Sequence, residues 1–249
     1  RLIERYNLHH VDYAIAGSAG AAKIWSEKGY VGPLAVIPQF GVDPDIYTPR
    51  PGIQDPARGF RIGYVGRLVP EKGVDLLFRA TAGMSGTWRL VIVGAGPERD
   101  RLKILARQLG LGDRVTFEGD IPSTRMPAFY RELDALVVPS RSRPNWVEQF
   151  GRVLIEAMAS GVPVVGSDCG EIPRVVGGAG LVFSEENAEA LKEHLMHLMR
   201  DPELWSSLAR RGRDRVLAHF TQAQIAAQTV AVYRELAETQ AHPRKEHNV

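Results

Sequence analysis

The chain has 249 residues, 44% hydrophobic and 24% charged, which excludes a disordered, collagen-like or fibrous protein; it contains no run of about 18 apolar residues, so no membrane span is predicted. The net charge of +2 is too small to indicate nucleic-acid binding, so no nucleic-acid partner is expected. The single Cys169 excludes an intramolecular disulfide framework and a cysteine-based metal cluster, and it fits a reducing cytoplasm.

The first 50 residues predict a small segment of helices and strands. Two helical patterns alternate there with the short apolar runs Tyr13–Ala16 and Leu34–Pro38. Prolines at positions 44, 49, 51 and 56 then indicate a linker. The sequence opens at Arg1 without an initiator methionine or a targeting segment, as a chain entered in its middle does.

From Phe60 onward, short apolar runs alternate with helical patterns. The predicted strands are Arg61–Gly66, Trp88–Gly94, Arg114–Glu118, Ala135–Val138, Pro163–Gly166 and Gly180–Phe183. The predicted helices are Lys72–Ala82, Glu98–Leu109, Thr124–Arg131, Phe150–Ala159, Ala188–Arg200, Pro202–His219 and Gln222–Glu238. This alternation predicts an α/β fold with a doubly wound, Rossmann-like parallel sheet. Ligands of such sheets bind beyond the carboxyl ends of the strands, so the loops that follow the strands are expected to hold the functional site.

The loop after the first of these strands, Gly66–Gly73, carries two cations. Arg67 is predicted to project from the loop, and Lys72 to open the next helix beside N–H groups that lack a partner within the helix. Two cations and the positive end of a helix suit a diphosphate. The alternative is a solvated loop with ordinary surface charges, because Arg and Lys are mostly exposed.

The loop after the second strand, Gly94–Arg99, begins like a dinucleotide-binding fingerprint. Arg99 stands where the third glycine of that fingerprint would be, and the loop does not follow the first strand of the sheet. The segment therefore predicts a tight turn and a helix start, with Pro97 near the first helical position.

The segment Glu148–Pro163 is the most informative about function. Gly151 predicts a helix start, which places Glu148 on the preceding loop and Glu156 in the second helical turn. The N–H groups of Gly151–Val153 would then form an anion site. Glu156 can accept hydrogen bonds from the two hydroxyls of a ribose, and Glu148, nearer the mouth of the crevice, could accept from sugar hydroxyls. In the alternative interpretation both are surface charges, which suits Glu156 less because a carboxylate in an apolar helix needs a partner.

Together these segments resemble the carboxyl-terminal domain of glycosyltransferase family 4, whose members are retaining transferases with the GT-B fold. The resemblance rests on Gly66-Arg67, Glu71–Gly73, Pro139-Ser140, the pair Glu148 and Glu156, Ala157-Met158, Gly161 and Pro163–Val165. The segments Val36–Pro38 and Gly41–Asp43, with Pro49, resemble the segment between the two domains of that family. The resemblance covers about residues 11–233.

The resemblance implies a role for each matched residue. Arg67 and Lys72 would hold the donor diphosphate and stabilise the leaving group without a metal, and Glu148 would hold hydroxyls of the donor sugar; these three are the candidate catalytic residues. Glu156 would hold the ribose. The other residues implied in donor binding are Gly66, Phe150, Gly151, Arg152 and Val153, together with Glu118, Gly119 and Ile121 beside the base.

The resemblance also implies a division of the chain. Residues 1–50 would be the end of an amino-terminal acceptor domain with the interdomain segment, 51–220 the donor-binding domain, 221–240 a helix that crosses back, and 241–249 a flexible tail. Neither His9 nor His10 matches the histidine that the family often places near the sugar. Gln149 stands where Pro or Gly is common, and Ser167–Pro173 replaces a more common double-glycine turn. We expect the chain to bind a donor nucleotide but to transfer sugar poorly by itself.

Three lesser candidates have competing interpretations. His194 and His197 are three positions apart on a predicted helix, which suits either a metal or, with no third ligand visible, two exposed histidines. The basic run of Arg210, Arg211, Arg213 and Arg215 suits either anionic lipid headgroups or a solvated helix face. Cys169 has no evident base beside it, so it is not expected to be a nucleophile.

The resemblance, together with these residues, therefore implies the donor-binding part of a retaining, metal-independent glycosyltransferase of glycan or polysaccharide biosynthesis. It would use a nucleoside-diphosphate sugar of UDP or GDP as co-substrate, no other cofactor, and a glycan or lipid-linked acceptor, in the cytoplasm or at the cytoplasmic face of a membrane. Two alternatives are a nucleotide-sugar epimerase of related fold and a non-catalytic nucleotide-sugar binding module.

Overall fold

The computed structural model describes residues 2–50 and 58–241, which form two compact units. The larger unit runs from Val42 to His219, and the smaller unit combines the described residues up to Gly41 with those from Phe220 onward. Residues 42–50, which the sequence places in the segment between domains, group with the larger unit. Pro51 and Pro56 of the predicted linker, and the predicted tail from residue 242 onward, lie outside the described residues.

The helices and strands follow the predicted order. The strands are β1 (Ala14–Ala16), β2 (Leu34–Val36), β3 (Phe60–Val65), β4 (Trp88–Val93), β5 (Val115–Gly119), β6 (Ala135–Val138), β7 (Val164–Ser167) and β8 (Leu181–Phe183). The helices are α1 (Leu2–His10), α2 (Ala19–Glu27), α3 (Val74–Ala82), α4 (Arg99–Gln108), α5 (Met126–Arg131), α6 (Arg152–Ala159), α7 (Ile172–Val176), α8 (Ala188–Arg200), α9 (Pro202–His219) and α10 (Gln222–Ala241). None of the helices in the described residues is long and apolar enough to span a membrane.

The smaller unit contains a two-stranded parallel sheet, β1 and β2, with helices α1, α2 and α10. Helix α2 begins after Ser18, whose hydroxyl accepts a hydrogen bond from the Ala21 N–H at 3.1 Å and so satisfies one of the free donors of the first turn. The Tyr13 hydroxyl donates to a Glu235 carboxylate oxygen of α10 at 3.3 Å. Helix α10 therefore packs with the first part of the chain, although it is the last element among the described residues.

The larger unit is built on a parallel sheet with the strand order β5-β4-β3-β6-β7-β8. Its first strand, β3, lies in the middle, with β4 on one side and β6 on the other. The chain thus builds the sheet outward in one direction and then returns to build in the other. This is the doubly wound, Rossmann-like fold predicted from the sequence, and its switch point lies between the carboxyl ends of β3 and β6.

Strands β6 and β7 are buried along their whole length, as their uninterrupted apolar sequences predict for a sheet covered on both faces. The aromatic side chains of Tyr64, Phe78 and Trp88 fill the space between the sheet and its helices, each no more than 2% exposed. Burial of an apolar side chain of this size contributes about 1.5–3 kcal/mol. Helix α6 is buried from Leu154 to Ala159, so its one internal carboxylate, Glu156, is buried with them.

One local prediction is wrong, and one helix was not predicted. Lys72 does not open a helix: it ends the 3₁₀ turn Pro70–Lys72, and α3 begins at Val74 after Gly73, whose φ of +68° breaks the helical path. Pro97 lies in the turn two residues before α4 begins at Arg99, near the first helical position as predicted. The short helix α7 was not predicted, since five residues give too little periodicity to recognise.

Candidate functional site

The loops that follow β3 and β6 meet at the switch point of the sheet. The Arg141 N–H donates to the Glu71 carbonyl at 2.8 Å, which joins the two loops directly. Gly73 lies so near the other loop that a Cβ there would lie 2.0 Å from the Pro139 carbonyl oxygen. Glycine is therefore required at this crossing, where both the left-handed φ and the close approach exclude a side chain.

This crossing brings Lys72 and Glu148 into contact, although they are 76 residues apart in sequence. Lys72 Nζ lies 2.6 Å from Glu148 Oε2, and the Ser140 hydroxyl donates to the same oxygen at 3.0 Å. The Lys72 ammonium also lies 5.0 Å from the centroid of the Trp146 ring. The Glu148 side chain is only 11% exposed. Lys72 and Glu148 thus form a charge-assisted hydrogen bond at the base of the crevice. The sequence assigns them to different parts of a donor, the diphosphate and the sugar.

The backbone of Glu148 is held by the loop after β7. Its N–H donates to Cys169 Sγ at 3.5 Å, and its carbonyl accepts from the Glu171 N–H at 2.9 Å. Burial raises the pKa of the Cys169 thiol, which agrees with a packing role rather than a nucleophilic one. Gly170 has a φ of +56°, and a Cβ there would lie 2.2 Å from the Glu148 carbonyl oxygen.

We expect Gly170→Ala to lower the free energy of unfolding by more than Gly110→Ala does. Both glycines have left-handed φ angles, so each alanine costs about 1–2 kcal/mol in backbone strain. Nothing lies within 4 Å of a Cβ at Gly110, whereas a Cβ at Gly170 collides with backbone. Urea unfolding of the two variants measures the difference, and equal losses would show that the loop adapts without displacing Glu148.

A cavity of about 320 Å³ opens beside this crossing, at the carboxyl ends of β3 and β4. Five residues predicted for donor binding or catalysis line it: Gly66, Arg67, Ile121, Arg152 and Glu156. The remaining lining residues are Tyr47, Val65, Val93, Gly94, Ala95, Asp120, Ser123 and Met126. The Arg67 side chain is 69% exposed and is 4.0 Å from Glu71, so it stands at the mouth of the cavity.

Each carboxylate oxygen of the buried Glu156 side chain accepts a hydrogen bond, which its burial requires. Its Oε1 accepts from Arg152 Nε at 2.7 Å, and its Oε2 accepts from the Tyr130 hydroxyl at 2.8 Å. The Glu156 side chain is 7% exposed, and Tyr130 is completely buried. Burial, and then the charge of Glu156, raise the pKa of Tyr130 well above its ordinary value, so the phenol remains a hydrogen-bond donor. These two hydrogen bonds orient the Glu156 carboxylate, and Glu156 forms part of the cavity wall.

The first turn of α6 has the geometry predicted for it. Gly151 precedes the helix with a φ of +75°, and the Gly151 carbonyl accepts from the Leu154 N–H at 2.8 Å. The first N–H groups of a helix have no partner within it, and the helix dipole adds positive potential at this end. The Arg152 side chain, 53% exposed, adds a guanidinium to the same place.

Some predicted residues do not line the cavity. Glu118 is an exposed residue of the edge strand β5. Gly119 ends that strand, and its carbonyl accepts from the Gly94 N–H at 2.7 Å. Phe150 is buried beneath the loop, and Val153 lies within the first turn of α6. The Gly94–Arg99 loop is a structural turn, as predicted: its Ala95 carbonyl accepts from the Leu68 N–H at 2.8 Å.

Sequence reasoning missed several residues of the site. Tyr47 lines the cavity from a segment predicted to be a linker, where nothing in the pattern marks it. Tyr130 could have been found, because a buried carboxylate in an apolar helix demands a donor from a neighbouring helix. Trp146 lies in an irregular loop, where contacts between residues distant in sequence place its ring beside the Lys72 ammonium.

The lesser candidates have structural partners. His194 Nε2 lies 3.3 Å from the Val182 carbonyl oxygen, and His197 lies 3.4 Å from Asp201. Within the described residues, no three His, Cys, Asp or Glu side chains group as a metal site would require. In the basic run, Arg211, Arg213 and Arg215 donate to backbone carbonyls.

Comparison with known proteins shows to which family the chain belongs. The family model described as glycosyl transferases group 1 matches residues 50–215. A GDP-mannose-dependent alpha-(1-6)-phosphatidylinositol monomannoside mannosyltransferase of Mycobacterium tuberculosis is 33% identical over 202 residues, which cover 75% of this chain and 52% of the relative. A D-inositol 3-phosphate glycosyltransferase of Acidothermus cellulolyticus is 36% identical over 198 residues, which cover 71% of this chain and 42% of the relative.

Among solved structures, the sucrose-phosphate synthase of Thermosynechococcus elongatus matches with a TM-score of 0.81 and 31% identity. That match covers 96% of this chain and 61% of the synthase chain. The chain thus spans about half the length of the curated relatives it matches. Its sheet order, the crossing at the switch point and the extent of the family match lead to one conclusion: the chain belongs to the glycosyl transferases group 1 family.

Proposed function

We propose that this chain provides the donor site of a retaining, metal-independent glycosyltransferase that uses a nucleoside-diphosphate sugar. The observation that carries the proposal is the contact of Lys72 with Glu148 at the switch point, beside a cavity that holds Arg67 and Glu156. The ribose would bind to Glu156, the diphosphate to Arg67 and the first turn of α6, and the sugar beside Glu148.

The arrangement favours departure of the diphosphate. In the proposed reaction, the bond between the anomeric carbon and the diphosphate oxygen breaks, and the oxygen keeps the electron pair. Arg67 and Lys72 would stabilise the negative charge that develops there, which is usually the largest single contribution to such catalysis. The acceptor hydroxyl would attack the same face of the sugar and lose its proton to the departing phosphate oxygen.

The names of the relatives support the choice of substrates. The Mycobacterium tuberculosis relative is named for GDP-mannose and a phosphatidylinositol mannoside, and another, from Rhizobium meliloti, for lipopolysaccharide core biosynthesis. We therefore propose UDP or GDP as the nucleotide and a glycan or a lipid-linked glycan as the acceptor. We place the reaction in the cytoplasm, with the single buried cysteine as support, and the contact of the basic run of α9 with a membrane surface stays a prediction.

Binding of UDP or GDP without a divalent metal tests the proposed site. We expect calorimetry in excess EDTA to give the same dissociation constant as calorimetry with Mg²⁺, because the cations that meet the diphosphate are side chains. Uridine and guanosine are the matched controls, since they lack the diphosphate. Affinity should fall with added salt, as screening weakens exposed charge pairs. Strict dependence on Mg²⁺ would overturn the metal-free site. Release of the nucleoside diphosphate together with a glycosylated acceptor would separate a transferase from an epimerase, and nucleotide binding without turnover would indicate a binding module.

A further inference from the structure

The larger unit has a second cavity, which lies at the opposite end of the strands from the cavity beside Glu156. Its volume is about 320 Å³. Leu133, just before β6, and Val162, just before β7, line it, so it lies at the amino ends of these parallel strands. The cavity beside Glu156 lies at the carboxyl ends. The two cavities are therefore separated by the sheet and share none of their lining residues.

The lining of this second cavity is strongly basic. Four arginines line it, with Asp214 as the one carboxylate among its lining residues: Arg50, Arg131, Arg210 and Arg213. Arginines are mostly solvated singly on protein surfaces, and like charges repel when they converge on one concave space. Four guanidinium groups around one small cavity therefore create a positive potential that favours an anion.

Most contacts of these arginines leave their charge uncompensated. Arg213 donates to the backbone carbonyls of Tyr47 at 2.9 Å and Pro44 at 3.3 Å, and also to that of Ala159. Arg131 lies 3.4 Å from the Thr48 hydroxyl. These acceptors are neutral, so they orient the guanidinium groups without cancelling their charge.

Arg50 shares its carboxylate partner, Asp134, with a second arginine. Arg50 lies 3.6 Å from an Asp134 oxygen that Arg58 also contacts. Burial, and then the charge of Arg58, lower the pKa of Arg50, which agrees with an excess of positive charge at this end of the cavity. Arg210 of α9 is exposed at the rim.

The floor of the cavity is apolar and held in place. Leu133, Val162 and Ala209 line it, and the Trp205 indole N–H donates to the Asp134 carbonyl at 2.7 Å, which fixes the ring. Guanidinium groups match the oxygens of a phosphate with paired hydrogen bonds, and the fixed ring offers a flat surface for the rest of a ligand. We propose that this cavity is a second binding site, for a phosphate-bearing small molecule, independent of the nucleotide site.

Calorimetry with inorganic phosphate at low ionic strength tests this site, with saturating UDP present to occupy the other cavity. We expect phosphate still to bind, and the double variant Arg131→Gln/Arg210→Gln to bind it about ten-fold or more weakly, because two charge-assisted hydrogen-bond donors are lost. Arg107→Gln, a matched loss of one exposed arginine on α4, should change the affinity by less than about two-fold. The same double variant should bind UDP as the wild type does.

Two results would overturn the proposal: phosphate binding that UDP abolishes, and a double variant that binds phosphate as tightly as the wild type. A further measurement shows whether the phosphate that binds here belongs to a lipid headgroup or to a soluble molecule. If the wild type sediments with phosphatidylglycerol vesicles and the double variant does not, the ligand is a lipid headgroup. Protein that stays in solution with these vesicles, while still binding inorganic phosphate, would indicate a soluble phosphate ester.

Discussion

Lys72→Gln is expected to weaken the binding of UDP or GDP by about 1.5–3 kcal/mol, the range for a hydrogen bond to a charged group. The variant removes the cation that lies 2.6 Å from Glu148 and leaves that carboxylate with the Ser140 hydroxyl. The diphosphate would then meet a net negative charge at the base of the crevice. Calorimetry with UDP measures the loss, and uridine, which lacks the diphosphate, should bind almost unchanged.

Arg79→Gln is the matched control, because Arg79 is an exposed cation of the helix that follows the same loop. It should leave UDP binding almost unchanged. A Lys72→Gln variant that loses UDP and uridine affinity equally would show that Lys72 supports the loop rather than the diphosphate. Urea unfolding of the same variant would then reveal a corresponding loss of stability.

Glu156→Gln is the second large expected effect, again about 1–3 kcal/mol in UDP affinity. The carboxylate would accept from both ribose hydroxyls, and an amide offers one acceptor where the carboxylate offers two. A 2′,3′-dideoxy nucleotide lacks both hydroxyls, so its affinity should change much less. Equal losses for the two ligands would make Glu156 a structural residue.

Tyr130→Phe separates the orientation of Glu156 from its contact with ligand. This variant keeps the buried ring and removes only the hydroxyl that lies 2.8 Å from Glu156 Oε2. We expect a smaller loss of UDP affinity than in Glu156→Gln, and a combined variant no weaker than Glu156→Gln alone. Losses that simply add would mean that Tyr130 and Glu156 act independently.

The fold was predictable because each level of the sequence agrees with the next. The apolar runs that became β6 and β7 have no polar interruption, and helix α6 between them is buried from Leu154 to Ala159, which agrees with a parallel sheet covered on both faces. Local turns were less predictable. Gly73 ends the helical path with a positive φ, and its place is dictated by the Pro139 carbonyl, which is distant in sequence.

The same distinction holds for the site. Gly151 directly precedes the short helix that carries Glu156, so their spacing alone predicts their geometry. The contact of Lys72 with Glu148 depends on two loops that meet at the switch point, and no local pattern reports such a meeting. Glu118 belongs to the edge strand, where alternate side chains face solvent, and it does not line the cavity; its predicted main-chain contact with the base stays a prediction.

The hydrogen bonds of Arg213 have a consequence for the order in which this unit is completed during synthesis. Its guanidinium holds the Tyr47 carbonyl across 166 residues of sequence, and Tyr47 forms part of the nucleotide cavity wall. Ribosomes extend a chain from its amino terminus at about 5–20 residues per second, and domains generally fold as units. A nascent chain that ends before Arg213 therefore has the strands and the Lys72–Glu148 loops, but it lacks the guanidinium that binds the Tyr47 carbonyl in the cavity wall. This contact with the cavity wall comes from position 213 of a unit that ends at His219, so the wall gains it late in translation.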